Sequence, residues 1–152
     1  HAHDADVNVL SWSRLTTCML ASGGDDGSFR IWDLRNFTDK SFVAGFTYHK
    51  QPVTSIEWSP FESPVLAVSA ADNQLSVWDL SVERDAEEEA AVLAESQNKE
   101  AVAPSAEDLP AQLMFVHQGQ QDMKELHWHP QISGMLASTA GDGFNVFRPN
   151  NL

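Results

Sequence analysis

The chain of 152 residues contains a single cysteine, Cys18, which excludes an internal disulfide framework and any metal site built from cysteine pairs. The apolar residues around Cys18 predict a buried thiol in a reducing compartment. No apolar run approaches the ~20 residues of a membrane-spanning helix, so we expect no membrane partner. Lys and Arg total 9 against 22 Asp and Glu, a formal net charge of -13. This scarcity of cations argues against direct nucleic-acid binding and favours a basic protein partner.

What the chain has in abundance is repetition. Ile31-Trp32-Asp33 returns 46 residues later as Val77-Trp78-Asp79. At the same offset, His3 aligns with His49, Trp12 with Trp58, and Asp26 with Asp72. A third copy follows 70 residues on, with Trp128, Asp142 and, one residue short of the expected place, Phe147. The pattern resembles WD repeats, each of which supplies about four strands of a propeller blade. We therefore expect an all-β WD40 β-propeller, with repeats at 3–35, 49–81 and 117–148.

Pairs of large apolar residues two positions apart predict the inner strand of each blade. These pairs are Leu10 and Trp12, Ile56 and Trp58, and Leu126 and Trp128. Apolar runs predict second strands at 19–21, 65–68 and 135–137, third strands at 29–32, 75–78 and 144–147, and outer strands at 42–48 and 113–117. Three blades cannot close a ring, and the chain begins with His1 rather than Met. We therefore expect residues 1–152 to be the C-terminal part of one propeller of seven blades.

The resemblance to WD repeats implies a hydrogen-bonded tetrad of His, Ser or Thr, Asp and Trp in each blade, which satisfies buried polar groups. The tetrad positions are His3, Ser22, Asp26, Trp32, His49, Asp72, Trp78, His117, Ser138 and Asp142. The second repeat has Val68 at the Ser position and Ser69 one place late, so we expect its tetrad to be incomplete. Phe147 has no indole N–H, which predicts a weaker last blade. Within such a repeat, these residues are interpreted as structural, and we predict no catalytic residue, metal or cofactor.

Residues 83–111 form an acidic segment between the third and outer strands of the second blade. They hold nine acidic residues against Arg84 and Lys99 and contain no aromatic residue. Two interpretations stay open: a solvated loop that cannot bury enough surface to fold, or an acidic tether that speeds capture of a basic client.

A narrower resemblance extends over the whole chain. Residues 108–119 and 124–130, with the opening 3–12 and the phrase 52–58, resemble the C-terminal end of the glutamate-rich WD-repeat proteins. The resemblance implies a nuclear and nucleolar chaperone in ribosome assembly, associated with pre-ribosomal complexes. Its client would be a basic large-subunit ribosomal protein, and related members bind histones. The face bearing the loops around the tetrad His and Asp residues is the expected contact surface. Its candidate client-binding residues are Asp4, Asp6, Asp25 and Asp122.

A second function is retained beside the chaperone. Trp32-Asp33-Leu34-Arg35 resembles the short box by which some WD proteins dock on the adaptor of cullin-based ubiquitin ligases. Arg35 would then be the critical contact, although Ser81 replaces the Arg in the second repeat. A propeller enzyme has no supporting constellation in the sequence.

Overall fold

The computed structural model describes residues 2–38, 41–82 and 109–150. These residues form three antiparallel sheets that follow one another along the chain. The first has strands β1 (Val7–Trp12), β2 (Met19–Gly24), β3 (Ser28–Asp33) and β4 (Ala44–Thr47), with a 3-10 turn at Leu34–Asn36. The second has β5 (Val53–Trp58), β6 (Val65–Ala70), β7 (Gln74–Asp79) and β8 (Leu113–Gln118). The third has β9 (Met123–Trp128), β10 (Leu136–Ala140) and β11 (Gly143–Phe147).

Each sheet is one propeller blade with its strands hydrogen-bonded in sequence order. The all-β propeller fold predicted from the repeats is confirmed, and every inner, second and third strand overlaps the run that the apolar pattern predicted. The outer strand β4 is shorter than the expected 42–48. Within the described residues, the third blade has three strands and none follows β11. Residues 83–108 of the acidic segment lie outside the described residues.

A tight turn between the second and third strands recurs in all three blades. Its last residue has a positive φ in the first two blades, Gly27 (73°) and Asn73 (65°), and in the third blade the positive φ is at Gly143 (131°), the first residue of β11. At Gly27, a Cβ atom would lie 2.2 Å from the carbonyl oxygen of His49, so only glycine fits. At the matching place in the second blade, asparagine is accepted because it tolerates the left-handed conformation better than other side chains.

The hydrophobic core lies between the blades rather than inside any one of them. The first layer packs Phe29 and Ile31 of the first blade against Ile56 and Trp58 of the second. The second layer packs Leu75 and Val77 against Leu126 and Trp128, among others. Since each sheet buries a face only against its neighbour, the stability of one blade depends on the next.

An indole hydrogen bond accompanies each of these layers. Trp58 Nε1 donates to the main-chain oxygen of Ser11 at 3.0 Å, and Trp128 Nε1 donates to that of Glu57 at 3.0 Å. In both cases the acceptor residue directly precedes the inner-strand Trp of the preceding blade. The interface between blades is therefore a repeated unit with the same apolar positions and the same polar contact.

One prediction about the single cysteine is wrong. Cys18 is exposed, not buried, because it lies in the turn before β2 with a φ of 65°. The apolar run begins only at Met19, so the thiol precedes the strand instead of facing the core. Among the described residues, no helix is long and apolar enough to span a bilayer.

Candidate functional site

The first blade joins its predicted tetrad residues through one additional serine. Trp32 Nε1 donates to Ser22 Oγ at 2.8 Å, and Ser22 Oγ lies 2.7 Å from His3 Nε2. On the other side of the imidazole, His3 Nδ1 lies 3.0 Å from Ser28 Oγ, whose hydroxyl donates to Asp26 Oδ1 at 2.7 Å. Asp26 also accepts the Ser28 backbone N–H at 2.9 Å. Ser28 was not anticipated from the repeat, and it carries most of the connection between His3 and Asp26.

The second blade has a complete network, contrary to the expectation that it would lack its hydroxyl. Ser76 Oγ accepts the Trp78 indole N–H at 2.7 Å and lies 2.8 Å from His49 Nε2. His49 Nδ1 lies 3.1 Å from Asp72 Oδ2. Ser69, the residue one place late in the sequence, instead pairs with Thr54 Oγ1 at 3.0 Å.

Strand register explains how Ser76 replaces the missing hydroxyl. Val68 occupies the usual Ser position on β6 and pairs directly with Ser76 on β7, as Ser22 pairs with Arg30 in the first blade. Directly opposed side chains on neighbouring antiparallel strands lie on the same face of the sheet, close together. A hydroxyl moved across the ladder therefore still lies between the imidazole and the indole. A serine two residues before the repeat's Trp is the sequence signal that could have identified it.

The surroundings of both histidines lower their pKa and so favour the neutral imidazole. Burial lowers the pKa of His49, against the raising effect of the Asp72 carboxylate. Burial also lowers the pKa of His3, more strongly than Asp26 raises it. Burial would raise the pKa of Asp26, but the hydrogen bonds from Ser28 and the nearby His3 imidazole together lower it. A neutral imidazole donates through one nitrogen and accepts through the other, as a chain running from Trp to Ser to His to carboxylate requires.

A catalytic triad of nucleophile, base and orienting carboxylate would be connected in the same way as Ser76, His49 and Asp72. The burial and hydrogen bonds of these residues instead indicate a structural role. Ser76 Oγ is fully buried and accepts the indole N–H of Trp78, so no substrate carbonyl can reach it. Every buried side-chain N or O atom in the described part of the chain has a hydrogen-bond partner. The network is suited to holding the loop before β5 and the turn after β6 against strand β7.

The third blade does not assemble His117 with Ser138. His117 lies on outer strand β8, with its ring stacked on Phe147 at 4.2 Å between centroids. Gln120, which is buried, accepts the Ser138 hydroxyl through Oε1. Asp142 Oδ2 accepts the N–H of Gln121 at 3.2 Å, just as Asp72 accepts that of Lys50 in the second blade.

Gln120 therefore replaces histidine in the third blade, and assigning His117 to that tetrad is wrong. The reason is spacing. His3 and His49 each lie nine residues before the inner-strand Trp, whereas His117 lies eleven before Trp128 and Gln120 lies eight before it. Counting from the inner strand, rather than searching for the nearest His, would have indicated the right segment.

One end of the propeller, here called the loop face, bears the loops before β1, β5 and β9 and the turns after β2, β6 and β10. Backbone hydrogen bonds join loop to turn in each blade: Asp25 N to Asp6 O, Ala71 N to Pro52 O, and Gly141 N to Gln121 O, each at 2.9 Å. In each blade, the loop and the turn of the loop face are therefore held together by a backbone hydrogen bond.

The four candidate client-binding carboxylates, of Asp4, Asp6, Asp25 and Asp122, are exposed on this loop face. Asp25 accepts from Asn8 Nδ2 at 2.5 Å, and Asp122 pairs with Lys124 at 2.6 Å. Asp4 lies 3.7 Å from Arg30. The surface is therefore acidic but partly compensated, and neighbouring side chains contact the carboxylates of Asp4, Asp25 and Asp122.

Arg35 stands apart from the loop face, on the 3-10 turn that follows β3. Asp33 caps that turn by accepting the Arg35 backbone N–H at 3.0 Å, and Arg35 Nη2 donates to Asp33 Oδ2 at 2.6 Å. These hydrogen bonds from Arg35 lower the pKa of Asp33 to about 2. The guanidinium is exposed yet held in one orientation. Among the described residues, no group of three or more His, Cys, Asp or Glu side chains is arranged to hold a metal ion.

The family described as "WD domain, G-beta repeat" matches residues 1–33 and 40–79. Protein HEAT STRESS TOLERANT DWD 1 of Arabidopsis thaliana is 61% identical, over 99% of this chain and 41% of its own length. Ribosome assembly protein rrb1 of Schizosaccharomyces pombe is 48% identical, over 97% of this chain and 39% of its own. A shorter match joins 28% of the chain to 9% of Glutamate-rich WD repeat-containing protein 1 of Dictyostelium discoideum, at 60% identity. The chain thus spans about two fifths of the first two relatives.

Among solved structures, a chain in the crystal structure of the Mitotic Checkpoint Complex superimposes with a TM-score of 0.69. The match covers 98% of this chain and 38% of that one, at 22% sequence identity. At that identity, the likeness bears on the fold alone.

Proposed function

We propose that this WD40-repeat protein is a non-enzymatic chaperone that binds a basic large-subunit ribosomal protein during ribosome assembly. The observation that carries the proposal is the 48% identity with a ribosome assembly protein across 97% of the chain. The match to a glutamate-rich WD-repeat protein agrees with it, although it covers only a short segment. We place the protein in the nucleus and nucleolus on the same ground, and we include histones among the clients to be tested.

The charge of the molecule supports a basic client. At a net charge of -13, long-range attraction accelerates encounter with a cationic protein and weakens as salt screens it. The loop face adds local carboxylates, Asp4, Asp6, Asp25 and Asp122, on a rigid scaffold. Because rim charges act mainly on association rate, these residues would attract and orient the client rather than supply most of the binding energy.

The test is binding of the full-length protein to a purified basic ribosomal protein over a series of salt concentrations. Changing all four loop-face aspartates to asparagine should weaken binding at low salt by about tenfold, since each exposed pair contributes roughly 0.2 to 1 kcal/mol. Glu62→Gln, in an exposed turn of the second blade, is the control and should change affinity little. Equal losses in both variants would remove the loop face from the proposal, and absence of any complex would reject the client.

A second candidate function is docking on the adaptor of a cullin-based ubiquitin ligase. The specific observation is the exposed Arg35 guanidinium, held by Asp33 at the end of the first blade. The name of the Arabidopsis relative also contains the term DWD. Purification from cells should recover the adaptor and lose it with Arg35→Ala, whereas Arg14→Ala, another exposed arginine of the first blade, should retain it. Adaptor recovery without the ribosomal protein would favour this function over the chaperone.

A further inference from the structure

The turn between β5 and β6 of the second blade contains two serines that each precede a proline, Ser59 and Ser63. No other Ser or Thr in the chain is followed by proline. A proline directly after the hydroxyl residue is the feature by which proline-directed protein kinases select their substrates. The second blade packs against the first on one side and against the third on the other, so this turn is flanked by neighbouring blades.

Burial and hydrogen bonding distinguish the two serines. Ser59 is 5% exposed, and its hydroxyl accepts the backbone N–H groups of Phe61 at 3.3 Å and Glu62 at 3.2 Å. Its own backbone N–H donates to the Val65 carbonyl at 2.9 Å, which closes the loop. Ser63 lies within that loop and is exposed, and its hydroxyl has no hydrogen-bond partner among the described residues. A kinase can therefore reach Ser63 in the folded protein, whereas Ser59 becomes accessible only if the loop opens.

The equivalent turns of the other two blades show that the repeat does not require this proline. Thr17 and Ser133 lie five residues after the inner-strand Trp, as Ser63 does, and both are exposed. The residues that follow them, Cys18 and Gly134, have positive φ angles of 65° and 72°. Proline cannot adopt that conformation, because its ring holds φ at about −65°. The second blade therefore departs from the turn of its neighbours, and of the three described turns it alone combines an exposed hydroxyl with a following proline.

We propose that a proline-directed serine/threonine kinase phosphorylates Ser63. In this reaction the γ-phosphoryl group of ATP is transferred to Ser63 Oγ. The bond from the γ-phosphorus to its bridging oxygen breaks, ADP leaves, and the hydroxyl proton passes to a carboxylate of the kinase.

The product adds a charge of about −1.5 to −2 next to Glu62, which is exposed. Strand β5 begins at the loop face and ends at this turn, so the phosphate lies at the opposite end of the blade from the candidate client-binding aspartates. Phosphorylation of Ser63 therefore neither requires nor tests binding of the ribosomal protein.

The test is to incubate the full-length protein with a purified proline-directed kinase and ATP, and to locate the phosphate by mass spectrometry. Cleavage after Lys50 and Arg84 releases one peptide that contains both serines, and its fragmentation separates them. We expect phosphate on Ser63, with Ser59 modified roughly tenfold or more slowly, because its exposure requires the loss of two hydrogen bonds. A synthetic peptide of residues 51–84 is the unfolded control, in which Ser59 should be modified as well.

Two substitutions in the turn identify what the kinase recognises. Ser63→Ala should remove the phosphate from the peptide of the folded protein, and Pro64→Ala should reduce it to background without changing the circular dichroism spectrum. Ser133→Ala removes an exposed hydroxyl that no proline follows, and it is the matched control that should leave phosphate incorporation unchanged. Modification of Ser59 as fast as that of Ser63 in the folded protein would overturn the proposal. So would a folded protein in which Ser63 takes up no phosphate.

Discussion

The second and third blades differ in how completely their buried hydrogen-bond networks are formed. In the second, four side chains connect a loop and a turn to strand β7, and the hydroxyl at the centre comes from Ser76 because Val68 cannot supply one. In the third, Ser138 is bonded to Gln120, and Phe147 contributes a ring without an N–H. What the blade requires is therefore a hydroxyl at a point in space between the loop residue and the indole, and the strand that carries it is secondary. Where the indole is absent, the network shrinks to a pair.

The largest expected effect comes from removing that central hydroxyl. Ser76→Ala leaves the His49 Nε2 atom and the Trp78 indole N–H buried without a partner, which should lower the free energy of unfolding by about 2 to 5 kcal/mol. Ser69→Ala is the matched control, since Ser69 is equally buried but its hydroxyl pairs only with Thr54 among the described side chains, and it should cost about 1 kcal/mol. Urea denaturation measures both values. Equal losses would show that Ser76 is not the centre of the network.

Asp26 tests the first blade in the same way. Asp26→Ala removes the acceptor of two hydrogen bonds from Ser28, and we expect a loss of about 1 to 3 kcal/mol in the free energy of unfolding. Its neighbour Asp25 is exposed and bonded only to Asn8 among the contacts of its side chain in the described residues, so Asp25→Ala should be nearly neutral. Thermal unfolding of the two variants separates them, and an unchanged melting temperature for Asp26→Ala would contradict the assignment.

Acidification should weaken the two histidine networks in a graded manner. The folded state lowers the pKa of His3 and His49, so below the ordinary value of about 6.5 the unfolded chain binds more protons than the native one. Stability from these groups is complete above that pH and is lost as the pH falls further. Denaturant midpoints at pH 7.5 and 5.5 measure the loss. His49→Gln should reduce the pH dependence, and a midpoint independent of pH would contradict neutral buried histidines.

The smallest effect is expected in the third blade. Ser138→Ala leaves only Gln120 without its partner, so the free energy of unfolding should fall by about 1 kcal/mol. The comparison with Ser76→Ala, which affects two partners, gives the difference between a full network and a pair. If Ser138→Ala lowered the free energy of unfolding as much as Ser76→Ala, the missing indole would not explain the difference between the two blades.

Periodicity, with the resemblance to WD repeats that it carries, was sufficient to predict the all-β propeller and the approximate place of each described strand. A strand that buries one face must repeat its apolar residues every second position, and blades that bury one another must repeat the whole unit. Both the two-residue period of a strand and the repeat of the whole blade are seen in the pairs Leu10 with Trp12, Ile56 with Trp58, and Leu126 with Trp128. Such patterns are local, so they can be read before any contact is known.

The hydrogen-bond partners were decided only by the tertiary structure. Ser76 substitutes for Val68 because antiparallel register places the two side chains opposite each other, and Gln120 replaces His117 because the loop before β9 has a different length. Cys18 is exposed because its turn ends one residue before the strand. Residue spacing does not determine which residues pair across two strands or which path a loop takes, because both depend on how distant parts of the chain pack together.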